Sequence, residues 1–255
     1  MILRLAPRPR PGAAPLPGAC NSLGGVPIRD ELIERTIQQL AALMAKLLLA
    51  RSSTLEAARL DLGAAERELE GLYLANLGTS RSLVGRLGVE DLIGVLGTAG
   101  YVDGERAYLL GALLSVDAEV ALVAGAAEDD AEVLRLRNAA LAMLLEAGSV
   151  SLGEPDLDRR VQNLLSEVPE ELRPDSTFER LFRYEFTSGR FARAEDALFA
   201  WLDRSERAED RLEVAATAGA FYDALESKSA EELELGDFEQ GDVALGRADF
   251  AARFN

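Results

Sequence analysis

The side chains best suited to chemistry are notable here for being absent. The 255-residue chain has no His and a single Cys, Cys20. Without imidazole there is no Ser-His-Asp triad, no Cys-His dyad and no His ligand for zinc. One Cys excludes an internal disulfide and any Cys-cluster metal site. Carboxylates remain, and paired Asp or Glu can do acid–base work or hold magnesium without His. The candidates are Glu128, Asp129 and Asp130, and Glu195 with Asp196. Asp156, Asp158 and Glu167 have the spacing of a calcium loop. That match fails at Arg160, where the third ligand belongs, and at Val161, where the loop needs Gly. A magnesium site built on two helices would show D/E-x-x-D/E on each. Glu128–Ala131 and Asp156–Arg159 do not form that pattern. Each acid suits a solvated helix surface instead. The glycines at 78, 85, 88, 94, 97 and 100 lack G-x-x-x-x-G-K-[ST], and the two lysines, Lys46 and Lys228, lie elsewhere. No catalytic, cofactor-binding or metal residue is assigned and no cofactor is expected. A carboxylate-based, metal-dependent enzyme is kept as an alternative to a non-enzymatic protein.

The elements that would position any such groups are helices. A broad apolar face recurs at three- and four-residue spacing through Leu32, Ile33, Ile37, Leu40, Leu43, Met44, Leu47 and Leu48, which predicts a helix from about Arg29 to Arg51. Ser53 and Glu56 are spaced as a capping box for a second helix ending near Asn76-Leu77-Gly78. The short connection implies an antiparallel hairpin. Two short helices are predicted over Arg81–Leu87 and Glu90–Leu96. A second hairpin follows, about Asp103–Ala124 and Glu128–Ala147, with Gly125 and Gly148 at the helix ends. Pro155 opens a helix over about Asp156–Val168. Ser176 and Glu179 form another capping box, and Ser176–Asp203 reads as a third hairpin that holds seven of the chain's aromatics: Phe178, Phe182, Tyr184, Phe186, Phe191, Phe199 and Trp201. A helix over about Ala208–Glu226 precedes an acidic, broken stretch and a short helix near Val243–Arg253. No segment alternates with period two, so no sheet is predicted. The expected domains are a disordered Pro/Arg-rich tail over 1–28, a helical-hairpin domain over 29–227 and an acidic segment over 228–255. The tail is read as disorder or as extension from a misjudged start codon; Leu16–Cys20 falls short of a lipoprotein cleavage site.

The formal net charge is −17. This disfavours phosphate-backbone binding, which needs basic patches, and disfavours an anionic membrane surface. No apolar run approaches the ~20 residues of a bilayer span. One Cys without a disulfide framework fits a reducing cytoplasm. The Arg, Ala, Gly and Leu usage suggests a GC-rich bacterial source.

Tyr184–Trp201 resembles a tetratricopeptide repeat (TPR). Such a repeat closes its first helix with Gly, places an aromatic two residues later and a small Ala three further on. Gly189, Phe191 and Ala194 match, and Leu198 suits the next core position. Trp201 and Phe182 stand where the repeat has small residues, and Tyr184 completes the motif in the first helix. Gly125 to Ala131 looks like a degenerate second copy, one residue too long. From Arg29 onward the chain is also similar to an uncharacterised bacterial family of helical, TPR-like proteins. The residues carrying that likeness are Arg29-Asp30-Glu31 with its apolar helix, Leu181–Tyr184, Thr187–Phe191 and Ala194–Phe199. The resemblance implies an all-α fold of antiparallel hairpins stacked in a TPR-like right-handed array, and no chemistry. The function expected is therefore a protein–protein interaction or scaffold module with an unknown protein or peptide partner. A homo-oligomeric structural protein is the second reading, because the first helix has an apolar face wide enough to pack on two sides.

Overall fold

A computed structural model describes residues 28–52, 61–98, 101–150 and 156–254. Residues 1–27, and with them Cys20 and the proline-rich tail, lie outside the described residues, as do Ser53–Leu60 with the Ser53/Glu56 capping box, and Pro155. Within the described residues the protein is all-helical, with twelve α-helices and one 3-10 turn, Glu170–Leu172. The single exception to helix is a ladder of two residues per strand, β1 (Gly97–Thr98) antiparallel to β2 (Tyr101–Val102). It is too short to leave a period-two pattern.

The centre is a helical hairpin of α5 (Gly104–Val123) and α6 (Ala131–Val150). Both helices are apolar nearly all round, and an all-round apolar helix has to be enclosed. Residues 107–114 of α5 and 139–148 of α6 are buried without a break. The cover on one side comes from α1 (Ile28–Ser52) and α2 (Leu62–Leu77), which pack on α5 more than on each other. Thr36, early in α1, donates to Asn76 near the end of α2 at 2.9 Å, so the two run antiparallel. Short helices α3 (Arg81–Val84) and α4 (Val89–Leu96) close one end. On the other side α7 (Leu157–Glu167) and α8 (Asp175–Thr187) lie against α6.

A second core lies beyond α8. It is formed by α8, α9 (Phe191–Arg204), α10 (Ala208–Glu226), α11 (Ala230–Leu235) and α12 (Gln240–Phe254), with Leu233, Phe238, Val243 and Phe250 buried in it. Helix α8 belongs to both cores. Tyr184 enters the first, Phe178 and Phe182 enter the second, and Leu181 packs against each.

Two local readings of the sequence are corrected. Gly148 does not end a helix, because α6 continues to Val150. A Cβ at Gly148 would overlap the Tyr184 ring and come within 3.0 Å of Leu157 Cδ2, so the residue is Gly because a ring lies on its backbone. Ser176 is not an N-cap either. The 3-10 turn and Pro174 deliver the chain so that α8 begins at Asp175, and Glu179 instead reaches Arg183.

Candidate functional site

The motif residues of the third hairpin fall into its interior. Tyr184, Phe191, Ala194, Leu198 and Trp201 are all buried. Gly189 has φ +74°, the left-handed conformation that L side chains resist. Arg190 N–H donates to Glu185 O at 2.9 Å and Gly189 N–H to Phe186 O at 3.0 Å, a Schellman closure of α8. Gly125 closes α5 the same way, with φ +104° and Ala126 N–H donating to Ala121 O at 3.0 Å. The following helix starts at Phe191 after Gly189 and at Ala131 after Gly125, so the loop after Gly125 is the longer. These residues serve packing. Tyr184 lies on Gly148, and the position a Cβ would take at Gly236 is 2.6 Å from Gly189 O and 2.8 Å from Phe191 Cγ. Gly236 O also accepts from Ala192 N–H at 3.1 Å, which fastens the turn after α11 to the start of α9.

Charged groups inside the helices were not legible in the sequence, and the fold gathers them into four clusters. In the first, Asp117 of α5 accepts from Tyr73 Oη at 2.7 Å and from Arg81 Nε. Burial raises the Asp117 carboxyl and holds the Tyr73 phenol well above its usual range, although Arg81 opposes both shifts. In the second, Arg180 joins Glu146 at 3.0 Å and Glu90 at 2.6 Å, while Arg183 reaches the same Glu146 oxygen at 2.9 Å. In the third, Arg190 sits between Glu185, Asp158 and the face of Tyr184. Burial pushes the Tyr184 hydroxyl up to about 12, and that hydroxyl donates to Asp158 at 2.9 Å.

The fourth cluster combines buried charge with a cavity at its side. Arg137 of α6 is 2% exposed. Its guanidinium lies 2.6 Å from Glu128, 3.2 Å from Glu167 and 3.8 Å from Glu119. Arg51, in the last turn of α1, reaches both Glu119 oxygens at 3.1 Å and Glu128 at 3.3 Å. Burial raises both the Glu119 and the Glu167 carboxyls. A cavity of about 300 Å³ opens beside the cluster between α1 and α7. Ala41, Met44, Ala45 and Leu48 form its apolar wall; Glu119, Arg137 and Glu167 lie opposite, with Arg159, Arg160 and Asn163 along α7.

Of the carboxylates considered from sequence, Glu128 and Glu167 are thus brought together, and Glu119 joins them unforeseen. Asp130 instead caps α6, accepting from Glu132 N–H at 2.8 Å. Glu195 accepts from Tyr222 Oη at 2.7 Å and is packed on Gly246, while Asp196 lies on the exposed side of α9. Asp156 pairs with Arg159. Among the described residues no group of three or more His, Cys, Asp or Glu could hold a metal ion. No described helix is long and apolar enough to cross a membrane.

Fold and clusters together define an all-α protein of two cores joined through one helix, with its interior charges neutralised largely by one another. Residues 28–255 match the model of a family described as a family of unknown function, DUF6483, and the chain belongs to that family. No curated protein matches it. No solved structure matches it either.

Proposed function

We propose that this protein is a helical interaction module, working by binding another protein rather than by catalysis, with its hairpins stacked in the right-handed, TPR-like sense. One observation carries the reading. Between Thr36 and Ala50, α1 has one charged residue, Lys46. A helix this apolar is ordinarily enclosed. Yet among the described residues only one side is, through Leu40, Leu43, Leu47 and Ala50. Ala41, Ala42, Ala45, Leu48 and Leu49 face outward, Leu48 and Leu49 at 44% and 59% exposure. A contiguous outward apolar strip of this kind suits a partner's apolar side chains.

The test is affinity capture with the full chain and with Leu48→Glu/Leu49→Glu, both confirmed folded by circular dichroism. A protein retained by the natural chain and lost by the variant supports the reading. Identical capture by both sinks it. Light scattering on the same samples separates a foreign partner from a second copy: a dimer that the substitutions dissolve would make the module homo-oligomeric.

A further inference from the structure

One guanidinium on the wall of the cavity between α1 and α7 has no acid to answer it. Arg160 is half-buried there, and among the described residues it has no carboxylate partner. Its Nε–H is buried and makes no hydrogen bond. The guanidinium lies over the Tyr108 ring at 5.8 Å. A ring occupies the face of a guanidinium and leaves the N–H groups on its edge, which form a fork matched to a carboxylate. The other charges at the cavity are already paired. Arg159 holds Asp156 at 3.0 Å, Arg51 holds Glu119 at 3.1 Å, and Arg137 reaches Glu167 at 3.2 Å. Glu167 stands two helical turns along α7 from Arg160, about 10 Å by the helix rise. Asn163, one turn from Arg160 on the same wall, adds an amide N–H donor. A half-buried guanidinium without an acceptor leaves its desolvation uncompensated, so this end of the cavity is short of an acceptor.

The opposite wall sets the rest of the ligand. Ala41, Met44, Ala45 and Leu48 offer methyl and methylene groups and no polar side-chain partner. We infer that this cavity binds a short aliphatic monocarboxylate, its head group on Arg160 and Asn163 and its methylenes along the α1 wall. The volume of about 300 Å³ suits a short chain. Glu119 and Glu167, also on the lining, leave no place for a second carboxylate. The net charge of −17 gives an anion no long-range attraction, so its affinity has to come from contact with Arg160. The same chemistry comes from a free short-chain acid or from the C-terminal residue of a protein. The inference goes beyond the interaction module and stands if that reading fails.

The experiment is titration calorimetry of the full chain with three ligands of one length and different head groups: pentanoate, pentanamide and pentylamine. Saturable binding of pentanoate is expected, with pentanamide about tenfold weaker, because the charge on the acceptor is lost, and with no binding of pentylamine. Arg160→Met, which keeps the stem and removes the fork, should weaken pentanoate about tenfold or more, and Arg160→Lys should recover part of the loss. Ala45→Trp, which fills the cavity from an exposed position, should abolish binding. Arg253→Met, on the distant α12, should leave it unchanged. Circular dichroism confirms that each variant is folded. The inference is overturned if the natural chain shows no saturable binding of pentanoate. It is equally overturned if pentanamide or pentylamine binds as well as the acid, or if Arg160→Met and Arg253→Met behave alike. N-acetyl-leucine decides the source: affinity equal to or above that of pentanoate assigns the cavity to a protein C-terminus, and weaker affinity assigns it to a free acid.

Discussion

Gly148→Ala is the substitution with the clearest consequence. Helix propensity alone favours Ala over Gly in a helix interior by up to ~1 kcal/mol. Here the new methyl would overlap Cε2 and Cδ2 of Tyr184 and press on Leu157 Cδ2 at 3.0 Å. The ring has little room to give way. Its hydroxyl is bound to Asp158 at 2.9 Å, Arg190 lies 4.8 Å above its face, and the residue is 2% exposed. Overpacking of a filled site costs about 1–3 kcal/mol, and losing a hydrogen bond to a charged group adds about 1.5–3 kcal/mol. Less the propensity gain, the net loss is about 2–4 kcal/mol. For a chain of this size each kcal/mol moves the melting temperature by roughly 2–4 °C. A fall of about 5–15 °C is therefore expected in thermal melts followed by circular dichroism. Gly148→Ala/Tyr184→Leu, which removes the obstructing ring edge, should recover part of it. A Gly148→Ala protein that melts at or above the natural temperature would refute the close-approach argument.

Gly236→Ala should destabilise the second core by about 1–3 kcal/mol, since a Cβ there meets Phe191 and the Gly189 carbonyl; fluorescence of Trp201, the chain's one tryptophan, reports it. Gly219→Ala in α10, where a Cβ meets nothing within 4 Å, should stabilise by about 0.5–1 kcal/mol in urea titration. Arg180→Met should cost about 3–5 kcal/mol by leaving Glu146 short of a partner in the interior, and Arg180→Met/Glu146→Leu should cost less, both read from urea midpoints. Glu195 binds a proton more tightly folded than unfolded, because burial raises its carboxyl. Its charge therefore costs stability at neutral pH, and that cost is relieved as the pH falls through the raised value. Glu195→Gln, which still accepts from Tyr222, should melt higher than the natural chain at pH 7.5, with the gap closing toward pH 4.5; an equal gap at both would contradict the burial argument.

What the sequence revealed follows from which forces act locally. Helices ending at Gly78, Gly125 and Gly189 were legible because a left-handed residue is a local requirement that Gly meets. The helix expected over about Ala208–Glu226 is found at those bounds. Gly148 misled for the same reason: Gly punctuates, and nothing in one dimension says that Tyr184 will lie on it. The buried charges were hidden because an apolar period describes the average of a face. Asp117 and Glu119 stand within Leu113-Leu114-Ser115-Val116 and Val120-Ala121-Leu122, where two acids in an apolar helix are the signal to look for Arg partners. Those partners, Arg81, Arg51 and Arg137, lie 36, 68 and 18 positions away. The capping box Ser229/Glu232 opens a regular helix inside a stretch whose acidic composition suggests an irregular tail.

The double membership of α8 also has a consequence in time. A chain made from its N-terminus has completed α1 through α7 before Tyr184 exists. Until then the groove of α6 at Gly148 has no ring to fill it, and Glu146 has neither Arg180 nor Arg183. The first core therefore closes only on delivery of the opening helix of the second. That helix cannot bury Phe178 and Phe182 until α9 and α10 follow. Each half thus waits on material from beyond its own boundary. Nascent chains halted before Asp175 should be digested by protease, and those extended past Glu226 should resist it.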